Sequence, residues 1–596
     1  MRVPVPRVVA LAAAVLAAGG LAACGSSSSS GGSSSGKPVY GGTLRLGANG
    51  DVDHLDPLSA YYTPTTQLER SYTRQLVTYP ASDSYNTAIS IVPDVATAAP
   101  TKANGGISSD GLTYTFHLRP DVMWNTSPPR AVTAQDFVRE FKRMCNPVVG
   151  VGNPTYYTTT IAGMNDYCTA YGKVSPKATA AQLAAFQNGH DISGITAPNA
   201  TTLQIKLTQP ANDFLNILAM NFASAAPVEW DSYLPDSPQF KAHVYSDGPY
   251  QISQYIPSKK IVLTHNPAWK QSTDPDRHQY VKQIVVTEGI SDPDSAQQDI
   301  ASGTEDLSWD QPVPTDKLQQ LMTSHDPNFA LFKGAIDNNY LAFNLQKGPA
   351  TNLKVRQAVE YAVNKVAVSK IYGGTAIAPP ITTIIPQGSV GYQAFNLYPT
   401  SGNQGDANQC KSLLQQAGYS SSHPLTLTYA YRNGGNHISV YQAVSASLSA
   451  CGIKVTGSPI QQGNYYAYVE DPGNSKADKW DITEAGWVPD WFGNNGRSTV
   501  EPLLTSPCVN PTTNYGCYNS SVVTGDANKA IAAPDLTTAA TYWHQADMQA
   551  MKDAVIVPIT NLNTALSKSS RVKNAIYSYT YQQYDITQIW LSPNTP

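Results

Sequence analysis

Leu112-Thr113-Tyr114-Thr115-Phe116-His117-Leu118 alternates apolar and polar side chains, the period-two pattern of a strand with one buried face. A short way on, Thr133-Ala134-Gln135-Asp136 precedes Phe137, Phe141 and Met144, which places Thr133 to cap a helix with one apolar face. Strand gives way to helix, and the exchange recurs along the chain. Residues 42–47, 202–207, 260–263 and 425–429 read as strands; 353–371, 407–417 and 441–450 read as helices. Val52 to Pro57, with Asp51, Asp53 and Asp56, reads as the loop after the first strand. A mixed α/β fold follows. No fixed short period is visible, so solenoids and propellers are poor fits. The 43 prolines and 42 glycines imply many long connections without reaching low-complexity composition.

Upstream of the first strand the chain has a different character. Arg2 and Arg7 precede an apolar run from Val8 to Leu21, and Leu21-Ala22-Ala23-Cys24 has the form of a lipoprotein signal with Cys24 as the lipidated residue. The run is too short to span a bilayer. Gly25 to Gly36 are all Gly or Ser, a flexible tether with a reach of roughly 20 Å. A cleaved secretory signal with a chance cysteine is the alternative. Residues 37–596 exceed one hydrophobic core, so two or three domains are expected. Charged residues make up 14% with net charge −4, which argues against nucleic acid as a partner. After Leu21 no apolar stretch approaches membrane-spanning length.

Apart from Cys24 there are six cysteines, an even number in an exported chain, which favours disulfides. Sequence neighbours suggest Cys145–Cys168, Cys410–Cys451 and Cys508–Cys517, one of fifteen connectivities. The competing zinc reading lacks any Cys-x-x-Cys pair or closely spaced His pair, and no metal or cofactor is expected. Gly31 to Lys37 matches part of a phosphate-binding loop, but Pro38 stands where Ser or Thr belongs and no strand precedes it. There is no Gly-x-Ser-x-Gly and no His-Glu-x-x-His, which lowers the prior for a hydrolase.

The most concentrated chemistry lies in Glu484-Ala-Gly-Trp487-Val-Pro-Asp490-Trp491-Phe492. An acid bracketed by three large rings has the makings of a cation site with apolar walls, because the rings exclude water and strengthen the attraction of carboxylate for ammonium. The plainer reading is a packed aromatic turn in which Asp490 caps a helix or satisfies backbone donors.

Several separated blocks resemble the extracellular solute-binding proteins of the peptide/nickel class, the receptors of ABC-type oligopeptide and dipeptide importers. They are Gly111 to Arg119 with Trp124 and Ala131 to Val138; Asp247-Gly-Pro-Tyr250 with Ile261 to Pro267 and Trp269; Phe343-Asn344 with Val355 to Val359 and Val363-Asn-Lys365; Leu413-Leu414 with Ala417-Gly-Tyr419; and Ile556-Val-Pro558. The resemblance implies a periplasmic-binding-protein-like two-lobe flytrap with an additional inserted domain and no catalytic group. Its expected divisions are signal 1–24, tether 25–37, lobe I from 38–85, 190–335 and 555–596, inserted domain 86–189, and lobe III 336–554. It also implies an oligopeptide ligand, an ABC permease with its ATPase subunits as partners, and a monomer anchored through Cys24 on the outer face of a cell membrane. The tether suits a Gram-positive surface.

In peptide-binding members the residue matching Asp490 pairs with the ligand's α-ammonium. Some members carry an Arg three residues before the tryptophan for the terminal carboxylate; here that position is Glu484, which would repel it. Glu484 either prefers a basic side chain or is structural. Trp487 and Trp491 are expected beside the ligand. Tyr61 and His54, in the early loop, and Tyr465, with Tyr466 and Tyr468, are candidate cleft residues, the tyrosines otherwise being packing. Arg356 reads as a structural pairing residue. Other readings are the same fold holding an oligosaccharide, a metal chelate or another small solute; a secreted hydrolase; and a receptor for peptide signals.

Overall fold

The computed structural model describes residues 37–151, 154–461 and 464–593. The signal segment, Cys24 and residues 25–36 of the tether lie outside them.

Two five-stranded sheets organise the molecule. In the first, the strands run in the order Leu307–Ser308, Thr43–Gly47, Gln283–Thr287, Lys260–His265, Tyr250–Ile256. Thr43–Gly47 is parallel to both neighbours, while the remaining pairs are antiparallel. Leu44, Leu46, Ile261, Leu263, Ile284 and Val286 are fully buried, the inward set of a period-two pattern. This is the core of lobe I.

The second sheet runs Lys454–Gln461, Thr426–Asn433, Ile482–Trp487, Phe329–Phe343, Ile556–Ser567. Its core packs Leu341, Phe343, Leu427, Tyr429 and Ile482 under the helices Leu353–Ala362, Ala407–Gln416 and Asn436–Ala450. The single helix expected over 353–371 is two, Leu353–Ala362 and Lys365–Ile371. The cause is local: the Asn364 side chain accepts the Ala367 N–H at 2.9 Å and starts a new helix.

A three-stranded sheet forms the inserted domain. Thr113–His117 pairs antiparallel with Thr202–Lys206, which pairs antiparallel with Ile195–Asn199. Those pairings move the boundary drawn at residue 189, since strands beyond it complete this sheet rather than that of lobe I. The helix Ala134–Arg143 follows as expected, with the Asp136 carboxylate accepting the Thr133 N–H at 2.9 Å and Phe137 and Phe141 fully buried.

Two strands carry the chain between lobes. Phe329–Phe343 and Ile556–Ser567 run antiparallel, first pairing Phe329–Phe332 with residues 567–564 and then, after a register shift, Asp337–Ala342 with residues 562–556. Gly334, in that shift, has φ +84°, which favours glycine. The disulfides are Cys145–Cys168, Cys410–Cys451 and Cys508–Cys517, the neighbour pairing. Among the described residues no helix is long and apolar enough to cross a membrane.

Candidate functional site

Asp490 lies in the turn after the strand Ile482–Trp487, and two tyrosines from outside lobe III converge on it. The Tyr61 hydroxyl donates to Oδ1 at 2.7 Å and the Tyr156 hydroxyl to Oδ2 at 2.6 Å. One comes from the loop of lobe I, the other from the inserted domain. The carboxyl is therefore a joint between three parts of the chain. Burial raises its pKa to about 6, against the two hydroxyls, which favour the carboxylate, while the Glu501 charge adds to the rise.

The turn is held rigidly. Trp491 is fully buried, its Nε1–H donating to Asn494 O at 2.6 Å, and its ring meets Tyr156 edge to face at 4.8 Å. Phe492 O accepts from Tyr79 Oη at 2.9 Å and Asn216 Nδ2 at 3.0 Å. Arg497 donates to Glu501 Oε2 at 2.5 Å and to Thr160 Oγ1 at 3.0 Å, with its guanidinium 5.5 Å from the Tyr156 ring centroid. Asn494 Nδ2 reaches Asn212 Oδ1 at 2.6 Å, and one apolar cluster unites Phe214 and Ile217 with Trp491, Ala530 and Ile531. The lobes are closed upon each other.

Behind this joint is a cavity of about 220 Å³. Its aromatic wall includes Tyr61, Tyr79, Phe222, Trp487, Tyr577 and Tyr579; its polar wall includes Glu69, Arg70, Asn221 and Asp490. Trp487 is anchored by its Nε1–H on Ser498 O at 2.8 Å. Arg70 is engaged within the protein: it donates to Asp585 Oδ2 at 2.6 Å, Thr78 Oγ1 at 3.1 Å and Tyr79 O at 3.1 Å, and pairs with Asp276. The cavity thus presents carboxyls without an available cation on the described wall, an environment that attracts positive charge.

Of the expected site residues, Asp490, Trp487 and Tyr61 meet at this cavity, with Trp491 packed behind them. The others sit elsewhere. Glu484 is 3% exposed within lobe III, where it pairs with His437 Nδ1 and lies 3.5 Å from the Tyr429 hydroxyl. Tyr465 is fully buried, its hydroxyl bonded to Thr483 Oγ1 at 2.7 Å and to the Glu484 carbonyl. His54 pairs with Asp236 at 3.2 Å on another face of lobe I. Tyr466 accepts from Arg432 at 2.9 Å. Arg356 donates to the carbonyls of Ala350, Thr351, Asp553 and Ala554, a purely structural set. Sequence reasoning missed Tyr156, Glu69, Arg70 and Asn221. Their place depends on contacts across hundreds of residues, and none sits in a motif that signals it.

Two sheets joined by two crossover strands beside an interlobe cavity have the architecture of a two-lobe solute-binding protein. The chain belongs to the bacterial extracellular solute-binding proteins, family 5, whose middle region matches residues 90–500, more than half of the chain. It is 27% identical to the periplasmic murein peptide-binding protein MppA of Escherichia coli K12, over 76% of this chain and 75% of that protein. It is 26% identical to heme-binding protein A of Haemophilus influenzae, over 79% of this chain and 80% of that one. The solved structure of clavulanic acid biosynthesis oligopeptide binding protein 2 has the same fold, with a TM-score of 0.82 at 22% identity, covering 93% of this chain and 96% of that one.

Proposed function

We propose that this protein is the lipid-anchored receptor of an ABC importer, capturing extracellular oligopeptides between its lobes and delivering them to the membrane permease. The observation that carries this reading is Asp490, a carboxylate held by Tyr61 and Tyr156 at the interlobe cavity, on a wall with aromatic rings and no available cation among the described residues. An α-ammonium bound beside the tyrosine hydroxyls, on lone pairs of the carboxylate that they leave open, would add a contact made only where the lobes meet and so couple ligand capture to lobe closure through differential affinity for the closed state. Main-chain hydrogen bonds along an extended peptide would add affinity without regard to sequence. The family membership and the peptide-binding names of relatives support the class of ligand. Cys24 would hold the protein at the surface through its lipid, with the Gly/Ser segment as tether. The domain divisions of lobe I, inserted domain and lobe III serve the same hinge.

Native mass spectrometry of the purified protein, before and after mild denaturation, tests the reading. A series of peptide masses released on denaturation is the expected outcome; a sugar, haem or metal chelate in their place overturns it. The aromatic wall favours one second reading, a planar or ring-faced solute stacked on Tyr79, Tyr577 and Tyr579.

A further inference from the structure

The inserted domain meets lobe III through contacts that do not touch the cavity, and Arg497, 1% exposed, is at their centre. Within its own lobe it donates to Glu501 Oε2 at 2.5 Å. Across the cleft its Nη2 donates to Thr159 Oγ1 at 3.1 Å and Thr160 Oγ1 at 3.0 Å, and its Nη1 lies 3.6 Å from Asp213 Oδ1. Beside it, Asn212 Nδ2 donates to the carbonyls of Ala530 and Ala533 at 3.1 and 3.0 Å, and the Asn212 backbone N–H to Ile531 O at 3.2 Å. Asn212 also accepts from Asn494 at 2.6 Å. Gly493, at φ +85°, brings its backbone so near the inserted domain that a Cβ there would stand 2.8 Å from Ile89 O. The segment carrying Asn212 and Asp213 belongs to the inserted domain by its packing: the Phe214 ring meets Tyr114 at 4.9 Å, and the Tyr157 hydroxyl donates to Ile217 O at 3.3 Å. None of Arg497, Asp213, Thr159, Thr160, Asn212 and Asn494 lines the cavity.

We propose that the inserted domain is the clasp of the flytrap and Arg497 its pin, a positioning residue that holds lobe III against the inserted domain and so sets ligand affinity without touching the ligand. The clasp rests on a solute being held between the lobes and is indifferent to its class, so it stands apart from the peptide reading. When the lobes part, Glu501 travels with Arg497. Asp213, Thr159, Thr160 and the Tyr156 ring, 5.5 Å from the guanidinium, stay behind. Arg497 and Asp213 are both buried where the lobes meet, and removal of either leaves the other as a buried charge without its partner across the cleft. Deleting the cation therefore penalises the joined state, in which Asp213 has no water to turn to. Because these contacts form whether or not the cavity is filled, they raise the closed fraction of the protein, and apparent affinity scales with that fraction. Capture belongs to the parted lobes and release to the joined ones, so the clasp acts on release.

Small-angle X-ray scattering of the protein alone, wild type against Arg497→Met, tests this together with stopped-flow binding of Ala-Ala-Ala. Arg497→Met should enlarge the radius of gyration, speed release about tenfold or more and leave the capture rate within about threefold. Arg497→Lys keeps the charge but not the planar fork, and should recover part of both effects. Glu501→Gln is the control. It touches Arg497 from within lobe III, in the parted and the joined state alike, so it should lower the melting temperature while leaving the radius near that of the wild type. An unchanged radius in Arg497→Met, an unchanged release rate, or an equal enlargement by Glu501→Gln each overturns the clasp. If Ala-Ala-Ala does not bind the wild type, that counts against the peptide reading, and the scattering comparison decides the clasp by itself. Should Arg497→Met fold poorly, Asp213→Asn and Thr160→Val remove its partners from the far side of the cleft and are read in the same way.

Discussion

A single carboxylate that accepts hydroxyls from two other parts of the chain is sensitive to both its charge and its protons. Asp490→Asn keeps the shape and most hydrogen bonding but removes the charge, so a buried ligand ammonium would lose its partner. Peptide affinity should weaken by about 2–5 kcal/mol, and unchanged affinity in calorimetry would refute the role. With its pKa at about 6, Asp490 is ionised at neutral pH and protonated below. An ammonium favours the ionised form, so affinity should decline below about pH 6, approaching tenfold per pH unit, and decline again toward and above about pH 8 as the peptide's own α-amino group loses its proton. Glu484 belongs to a different account. It lies in lobe III against His437 and Tyr429, so Glu484→Gln should lower the melting temperature while leaving peptide affinity within about twofold. Stronger weakening of binding than of stability would contradict that placement. Asp490 and Trp487 stood out because acid and rings adjoin in sequence, but that spacing left a packed turn as the plainer reading and only the family resemblance pointed to a ligand; the cysteine partners were legible from their order along the chain. Tyr156 and Glu69 were not, since a tyrosine 334 positions from Asp490 and a helix-terminal glutamate carry no local mark of the cavity they share.

At the level of elements, the alternation in Thr113–His117 and the capped apolar face of Ala134–Arg143 were readable because each is local. The break at Asn364 and the reassignment of Ile195–Asn199 were not. The first turns on one side chain choosing the Ala367 amide over continuing the helix, and the second on which distant edge a strand pairs with. Cys410–Cys451 joins the helix Ala407–Gln416 to the end of Asn436–Ala450, closing a separation of 41 residues under the lobe III sheet. Loop-closure entropy gives such a crosslink about 4 kcal/mol of stabilisation through the unfolded state. Cys410→Ala with Cys451→Ala should therefore lower the denaturation midpoint of lobe III substantially. Both cysteines are buried, and the small cavity left by two sulfurs adds to the loss. Cys508–Cys517, spanning 9 residues, should contribute less. Denaturant titrations of the two double variants compare them directly, and an equal or reversed order would show that local packing outweighs chain entropy here.

For the molecule as a whole, the packing of acids into cores sets an unusual pH response. Burial pushes Asp247 up to about 8, Asp547 to about 7 and Asp213 to about 6, although Arg74 near Asp247, the Ile384 and Ile385 amides at Asp547, and Arg497 beside Asp213 all pull the other way. In each case the folded pKa lies above the unfolded one, so the folded state binds more protons between them. Stability from these groups is complete below about pH 4 and is lost as pH rises through about 6 to 8. Opposing them, Glu229, Asp236 and Asp585 have lowered values, through Arg130, through His54 with Lys241, and through Arg70 respectively, despite burial. Their stabilisation is present above about pH 4 and lost below it. The two sets together place maximal stability between about pH 4 and 6. Thermal melts at fixed ionic strength should show the melting temperature falling by a few degrees, on the order of 2–5 °C, from pH 5.5 to 8. Asp547→Asn separates this cause from general charge repulsion. The amide's oxygen can still accept an amide hydrogen bond, and it needs no proton, so the variant should lose part of the decline without losing the fold. A melting temperature that rises toward pH 8, or a decline untouched by Asp547→Asn, would mean that these acids are hydrated in solution and that the lobes open to water more readily than their packing implies.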